Sequence, residues 1–93
     1  MDVFRWDIEK NRKLQRERGL SFEQIEYALA HEKLLDVLEH PNQDIYPGQF
    51  LLIVQIETYA VVVPAVQEQG GFFLKTAFYS RKMTKKYVKG SNV

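Results

Sequence analysis

The order of apolar and polar positions changes period along the chain, and each period predicts an element. Val3-Phe4-Arg5-Trp6 is aromatic and β-branched and reads as a strand. Asp7 then suits a helix N-cap, with Glu9 favourably placed in the first turn. The stretch Ile8 to Arg18 lacks Gly and Pro and is rich in helix formers, and Gly19 follows as a left-handed stop. Its apolar face is thin: Ile8 and Leu14 point inward, with Asn11 a further candidate. Ser21 with Gln24 forms a capping box, and Leu20 with Ile25 a hydrophobic staple, so a second helix starts at Phe22. Phe22, Ile25, Ala28 and Leu29 line its inner face, and it ends near His31.

From Leu34 the pattern becomes continuous and then alternating. Leu34 to Glu39 is short and apolar and reads as a strand, with a continuation of the helix as the alternative. Residues 40–48, dense in turn formers, make a loop. Phe50 to Ile56 and Tyr59 to Val66 predict two strands joined by a tight turn at Glu57-Thr58. Pro64 marks an edge or a bulge in the second of them. After a turn at residues 67–71, Phe72 to Tyr79 predicts a last strand, with Phe72, Leu74, Thr76 and Phe78 on one face and Phe73, Lys75, Ala77 and Tyr79 on the other. Ser80 then caps a short helix with Met83 and Tyr87 on its packing edge. The expected fold class is α+β: two N-terminal helices packed on a mostly antiparallel four- to five-stranded sheet, with a short basic C-terminal helix, in one domain over residues 1–89 and a frayed tail at 90–93.

Composition adds exclusions. With 45% hydrophobic and 13% aromatic residues the chain has the material for a core, which argues against a disordered segment. The absence of cysteine removes disulfides and thiolate metal sites. The charged opening and the lack of any apolar run near the roughly 20 residues of a spanning helix lead to the expectation of a soluble cytoplasmic protein without membrane contact. Charge sharpens the picture further, because a net charge of +1 conceals a polarised chain. Residues 20–74 hold a single basic residue, Lys33, among acids, whereas Lys75, Arg81, Lys82, Lys85, Lys86 and Lys89 close the chain without one acid. Arg12, Lys13 and Arg16 cluster on the first helix, and if the two basic ends face each other they make opposite walls of one polyanion-binding surface.

The candidate chemistry follows from those walls. His31 and His40 lack a partner carboxylate at ligand spacing, so no metal site and no cofactor is expected. No serine lies in an elbow motif, and Gly70-Gly71 reads as a turn and not as a phosphate loop. What remains is a basic strand–helix unit with interleaved tyrosines. Lys75, Tyr79, Arg81 and Tyr87 are the candidate catalytic residues; Lys82, Lys85, Lys86 and Lys89, with Arg12, Lys13 and Arg16, are the candidate RNA-backbone contacts. Without a metal, RNA is cut when the 2′-hydroxyl attacks the adjacent phosphorus, which needs a base, an acid and cations around the pentacoordinate phosphate. The alternatives are a nucleic-acid-binding module that does not cut, and a small interaction protein that docks its basic helix on an acidic partner.

A family resemblance carries this further. Phe4-x-Trp6-Asp7, then Lys10-Asn11, then Arg18-Gly19-Leu20-Ser21-Phe22-Glu23, and a terminal strand leading to Ser80-Arg81-Lys82-x-Thr84 and Tyr87, resemble the BrnT family of toxins. The likeness is clearest over about the first 25 residues and again near residues 80–87. It implies a RelE-like fold, a metal-independent endoribonuclease that arrests translation in a bacterial type II toxin–antitoxin module, and a cognate antitoxin, commonly a ribbon-helix-helix DNA-binding protein. It leaves oligomeric state open, a homodimer included. The chain departs from the family's pattern at Arg18-Gly19, where members often read Lys-His-Gly, and in its wholly basic last helix. It also lacks the arginine that members often carry around the strand at Phe50–Ile56.

Overall fold

In a computed structural model that describes residues 3–88 and residue 90, the chain runs β1 (Val3–Trp6), α1 (Ile8–Arg18), α2 (Phe22–Ala30), β2 (Leu34–Glu39), β3 (Gln49–Ile56), β4 (Tyr59–Glu68), β5 (Gly71–Leu74), β6 (Phe78–Tyr79) and α3 (Arg81–Tyr87). Lys89 and residues 91–93 of the expected tail lie outside the described residues. The fold is α+β. One sheet has the order β1-β5-β4-β3-β2, and β6 pairs with β4 off that path. β1 joins β5 in parallel, and every other pairing is antiparallel. Among the described residues no helix is long and apolar enough to cross a membrane.

The helix boundaries arise from their caps. The Asp7 carboxylate accepts from the Lys10 N–H at 2.9 Å, and Gly19 closes α1 at φ 65. At α2, the Ser21 hydroxyl accepts from the Gln24 N–H at 3.1 Å while the Gln24 side chain accepts from the Ser21 N–H at 2.9 Å, a reciprocal pair that satisfies two otherwise orphaned donors. Leu20 and Ile25 are both fully buried, as the staple requires. Asn11 ties the two helices together: its side-chain oxygen accepts from the Phe22 N–H at 2.8 Å and its amide donates to Glu23 at 2.7 Å. Ile8, in contrast, is 66% exposed, because the inward side of α1 is set by Asn11 and Leu14 instead.

Alternation along β3 and β4 divides the core in two. Leu52, Val54, Val61, Val63 and Ala65 pack with Leu14, Leu20, Phe22, Ile25 and Ala28 on one face of the sheet. Ile53, Ala60 and Val62 point the other way, where Met83, Tyr87 and Val88 cover them. So α1 and α2 lie on one face and α3 on the opposite one. The expectation that the basic residues of α1 and α3 face each other as two walls is therefore overturned: the sheet lies between them.

The predicted single strand Phe72–Tyr79 is broken in two, and Pro64 explains why. β4 is a central strand, bordered by β3 on one side and by β5 and β6 on the other. The Pro64 carbonyl accepts from the Lys75 N–H at 2.9 Å, so Pro64 turns its polar groups toward the β5–β6 side, where its missing N–H leaves the ladder incomplete. The pairing moves from Ala65↔Leu74 to Val62↔Phe78, which leaves three residues, Lys75 to Ala77, opposite the two of β4. That extra residue is a bulge, and it reverses the alternation beyond it. Leu74 and Ala77 consequently share the α1–α2 core, where strict alternation would separate them. Of the two roles open to Pro64, edge or bulge, the fold uses the bulge.

Candidate nucleic-acid interface

The bulge determines where the candidate site residues fall. Its Ala77 carbonyl accepts from the Arg18 guanidinium at 2.6 Å, and Thr76 lies 3.4 Å from the same nitrogen. The last residue of α1 thereby pins the strand after its register has shifted. Beyond the bulge Tyr79 pairs with Val61, which belongs to the α1–α2 side, and Phe78 pairs with Val62, which belongs to the α3 side. Tyr79 is thus placed beside Tyr59 of the neighbouring strand, ring edge against ring face, with centroids 5.7 Å apart and planes 80° apart.

Ser80 then starts α3: its hydroxyl accepts from the Met83 N–H at 3.1 Å. Arg81, exposed in the first turn, faces the tip of the β3–β4 hairpin. Ile56, Glu57, Thr58, Tyr59, Tyr79 and Arg81 enclose a shallow pocket of about 460 Å³ there. A cation and two phenol rings in one hollow suit a phosphate joined to a planar base, since guanidinium groups fork onto phosphate oxygens and bases stack on tyrosine.

The structure brings together two of the four candidate catalytic residues, Tyr79 and Arg81. Lys75 sits exposed on the bulge, outside the pocket. Tyr87 is at the far end of α3, where its hydroxyl donates to Asp36 Oδ2 of β2 at 2.6 Å. This hydrogen bond raises the Tyr87 phenol above its ordinary 10.0, helped by burial and by the Asp36 charge. The same bond, with one from the Val37 N–H to Asp36 Oδ1, lowers the Asp36 carboxyl. Tyr87 is thus a protonated pin between α3 and β2, on the opposite face from the Tyr79 ring.

Lys82, Lys85 and Lys86 are exposed along α3, with the Lys86 ammonium 5.3 Å from the Tyr87 ring centre. They continue from Arg81 as one cationic side of the helix, while Met83 and Tyr87 pack down. The expected contact at Lys89 lies outside the described residues. Arg12, Lys13 and Arg16 are exposed on α1, on the side of that helix away from Asn11 and Leu14, and Arg12 pairs with Glu9 at 2.7 Å. Both partners of that pair are solvated, so it contributes little. Arg18 alone of the α1 cations reaches the bulge.

Of the pocket residues, the sequence pattern marks Tyr79 and Arg81 as candidates and leaves Ile56, Glu57, Thr58 and Tyr59 unmarked. Tyr59 carried a usable signal, two residues from Val61 on a predicted strand, but finding Tyr79 beside it requires the shift at Pro64. The histidines are placed elsewhere: His31 stacks on Tyr27 with centroids 3.8 Å apart, and His40 lies tilted against Tyr46 at 4.4 Å. Among the described residues no three His, Asp or Glu side chains gather as metal ligands.

Protein-family models, curated proteins and solved structures give no match to this chain. Fold and site define it as a small α+β domain with a cation-and-tyrosine pocket at a hairpin tip, continued by a basic helix.

Proposed function

We propose that the chain binds single-stranded RNA at the Tyr59–Tyr79–Arg81 pocket and along the lysines of α3, and that it acts as a BrnT-like, metal-independent ribonuclease toxin of the cytoplasm, restrained by a cognate antitoxin. One observation carries the RNA reading: the bulge opposite Pro64 turns Tyr79 toward Tyr59 at the point where Ser80 launches Arg81, so a stacking surface and a phosphate cation meet in one hollow. Toxicity, cleavage and a ribbon-helix-helix antitoxin rest on the resemblance at Phe4-x-Trp6-Asp7, Lys10-Asn11 and Ser80-Arg81-Lys82. In this reading Arg81 stabilises the charge on the phosphate, Tyr79 orients the base, and Lys75 and the α3 lysines hold flanking phosphates.

A second reading, binding without cutting, is favoured by the removal of Tyr87 to Asp36 and of Lys75 to the bulge, which leaves the pocket short of two of its candidate groups. Induction of the chain in a bacterial host, with mapping of RNA ends, separates the two. Arg81→Glu is expected to abolish growth arrest and new RNA ends with unchanged circular dichroism; full toxicity of that variant would refute the catalytic assignment. Binding by the wild-type chain with intact RNA after long incubation would establish the second reading.

A further inference from the structure

The pocket contains a carboxylate that neither stacking nor phosphate binding uses. Glu57 lines it, and it is the first of the two residues that turn β3 into β4, at φ 55. Glycine holds that left-handed conformation without strain, and asparagine or aspartate with little. The other such residue, Glu32 at φ 61, immediately follows the His31 cap of α2, where a left-handed residue commonly ends a helix. At Glu57 the two-residue hairpin itself requires a positive φ at its first turn position, a place that glycine, asparagine or aspartate fills with less strain, and the turn is held firmly, with the Gln55 amide donating to the Glu57 carbonyl at 2.9 Å. A strained glutamate kept at the mouth of a pocket points to a use for its carboxylate.

The charges point the same way. Arg81 and Glu57 border one hollow, but among the described residues neither forms an ion pair, with the other or elsewhere. A ligand that presents an anion at one end and hydrogen-bond donors at the other satisfies both. Nucleotides differ in that second property. The Watson–Crick edge of guanine carries N1–H and the N2 amino group side by side, two donors that match the two oxygens of a carboxylate. Adenine and cytosine set one amino group beside a ring-nitrogen acceptor, and uracil sets one N–H between two carbonyls, so each turns a lone pair toward the carboxylate.

We infer that the pocket selects guanine, with the Glu57 carboxylate accepting from N1–H and the N2 amino group, the base held against Tyr79 and Tyr59, and its phosphate on Arg81. Glu57 is then a specificity-determining residue. This inference rests on the reading of the pocket as a site for single-stranded RNA.

The test uses the full chain and fluorescently labelled tetranucleotides of sequence UUGU, UUIU, UUAU, UUCU and UUUU, with I for inosine. All carry 2′-O-methyl riboses so that no cleavage can occur. Fluorescence anisotropy is expected to show UUGU binding about tenfold or more tighter than the A, C and U oligomers, the order of discrimination of a good bidentate contact. Inosine, which keeps N1–H and lacks the amino group, should fall between them. Glu57→Gln should bring all five to similar affinity. Glu57→Gly should do the same while melting no lower than the wild type, a combination that a purely structural role for Glu57 would not produce. Preference for guanine that survives Glu57→Gln overturns the inference. Equal binding of all five by the wild type, weakened throughout by Arg81→Glu, overturns the inference and leaves the RNA reading standing. No binding of any oligomer at low salt overturns both.

Discussion

The N–H of Ala60 ends on the hydroxyl of Thr84, 2.9 Å away, and not on the strand beside it. The register of β6 against β4 places Ser80 opposite Ala60, and the Ser80 N–H does donate to the Ala60 carbonyl at 3.0 Å. The return bond is interrupted: Thr84 Oγ1 accepts from Ala60 and donates to the Ser80 carbonyl at 2.6 Å. A threonine from the second turn of α3 thus completes the ladder that β6 abandons as it becomes a helix, and it is fully buried while doing so.

Thr84→Val keeps the shape and removes the relay, leaving a buried donor and a weakened acceptor. The expected loss is about 1–3 kcal/mol. Thr84→Ser keeps the relay and gives up a methyl group, for about 1 kcal/mol. Urea denaturation of the two variants checks the order; a larger loss for Thr84→Ser than for Thr84→Val would show that the methyl group, not the hydroxyl, matters at this position.

Gly71 is where β1 meets β5 most closely. A Cβ built there would lie 1.8 Å from the Val3 carbonyl oxygen and 2.7 Å from the Val3 nitrogen. Both are backbone atoms of a paired strand, so a rotamer change gives no relief. Gly71→Ala is expected to force β1 from the sheet edge, with a destabilisation of about 1–3 kcal/mol or more. Trp6, the single tryptophan, sits in β1 stacked on Phe22 at 5.6 Å, so its fluorescence should shift to longer wavelength before global unfolding. An unshifted native spectrum would count against the displacement.

What the sequence revealed and what it hid divides along local and non-local signals. Asp7, Gly19, Ser21 with Gln24, and Ser80 mark the helix ends because capping is decided within four residues. The β2, β3 and β4 segments were legible from their apolar runs. The face of the sheet on which each helix lands was not, since crossover geometry leaves no trace in composition, and the two basic clusters were consequently expected to meet. The break in the last strand is hidden for a related reason. Pro64 announced an edge or a bulge, but its effect falls on Lys75 to Ala77, a strand away, and only the pairing with β4 shows that Tyr79 turns toward Tyr59. Tyr87 was correctly placed on the packing edge of α3, while its partner Asp36, 51 residues distant, carried no sequence signal.

The Tyr87–Asp36 bond gives stability a defined pH window. Asp36 is held below its ordinary 3.8, chiefly by the Tyr87 hydroxyl, so its contribution is present above that value and is lost as pH falls through the lowered one. Tyr87 is held above its ordinary 10.0, chiefly by the bond to Asp36, so its contribution is present below that value and is lost as pH rises through the raised one. Tyr87→Phe should therefore melt below the wild type at neutral pH, with the gap narrowing at both acidic and strongly alkaline extremes. Melting curves from acid to alkali measure it. A gap that stays constant across the range would remove this bond as its source.

Because the sheet separates α1 from α3, the two basic clusters should behave differently toward RNA. Lys82, Lys85 and Lys86 extend from Arg81 on one helix, whereas Arg12, Lys13 and Arg16 point outward from the opposite layer. Each phosphate contact with a single strand adds about 0.7 to the slope of log affinity against log salt. Replacing Lys82, Lys85 and Lys86 together by glutamine should lower that slope by about 2 if all three hold phosphates. The same replacement of Arg12, Lys13 and Arg16 should leave the slope for a short oligonucleotide nearly unchanged, since a strand seated at Arg81 does not pass behind the sheet. Titration of a 2′-O-methyl octanucleotide at several salt concentrations reads both. Equal slope changes for the two triple variants would place α1 on the RNA path and contradict an interface confined to the pocket and α3.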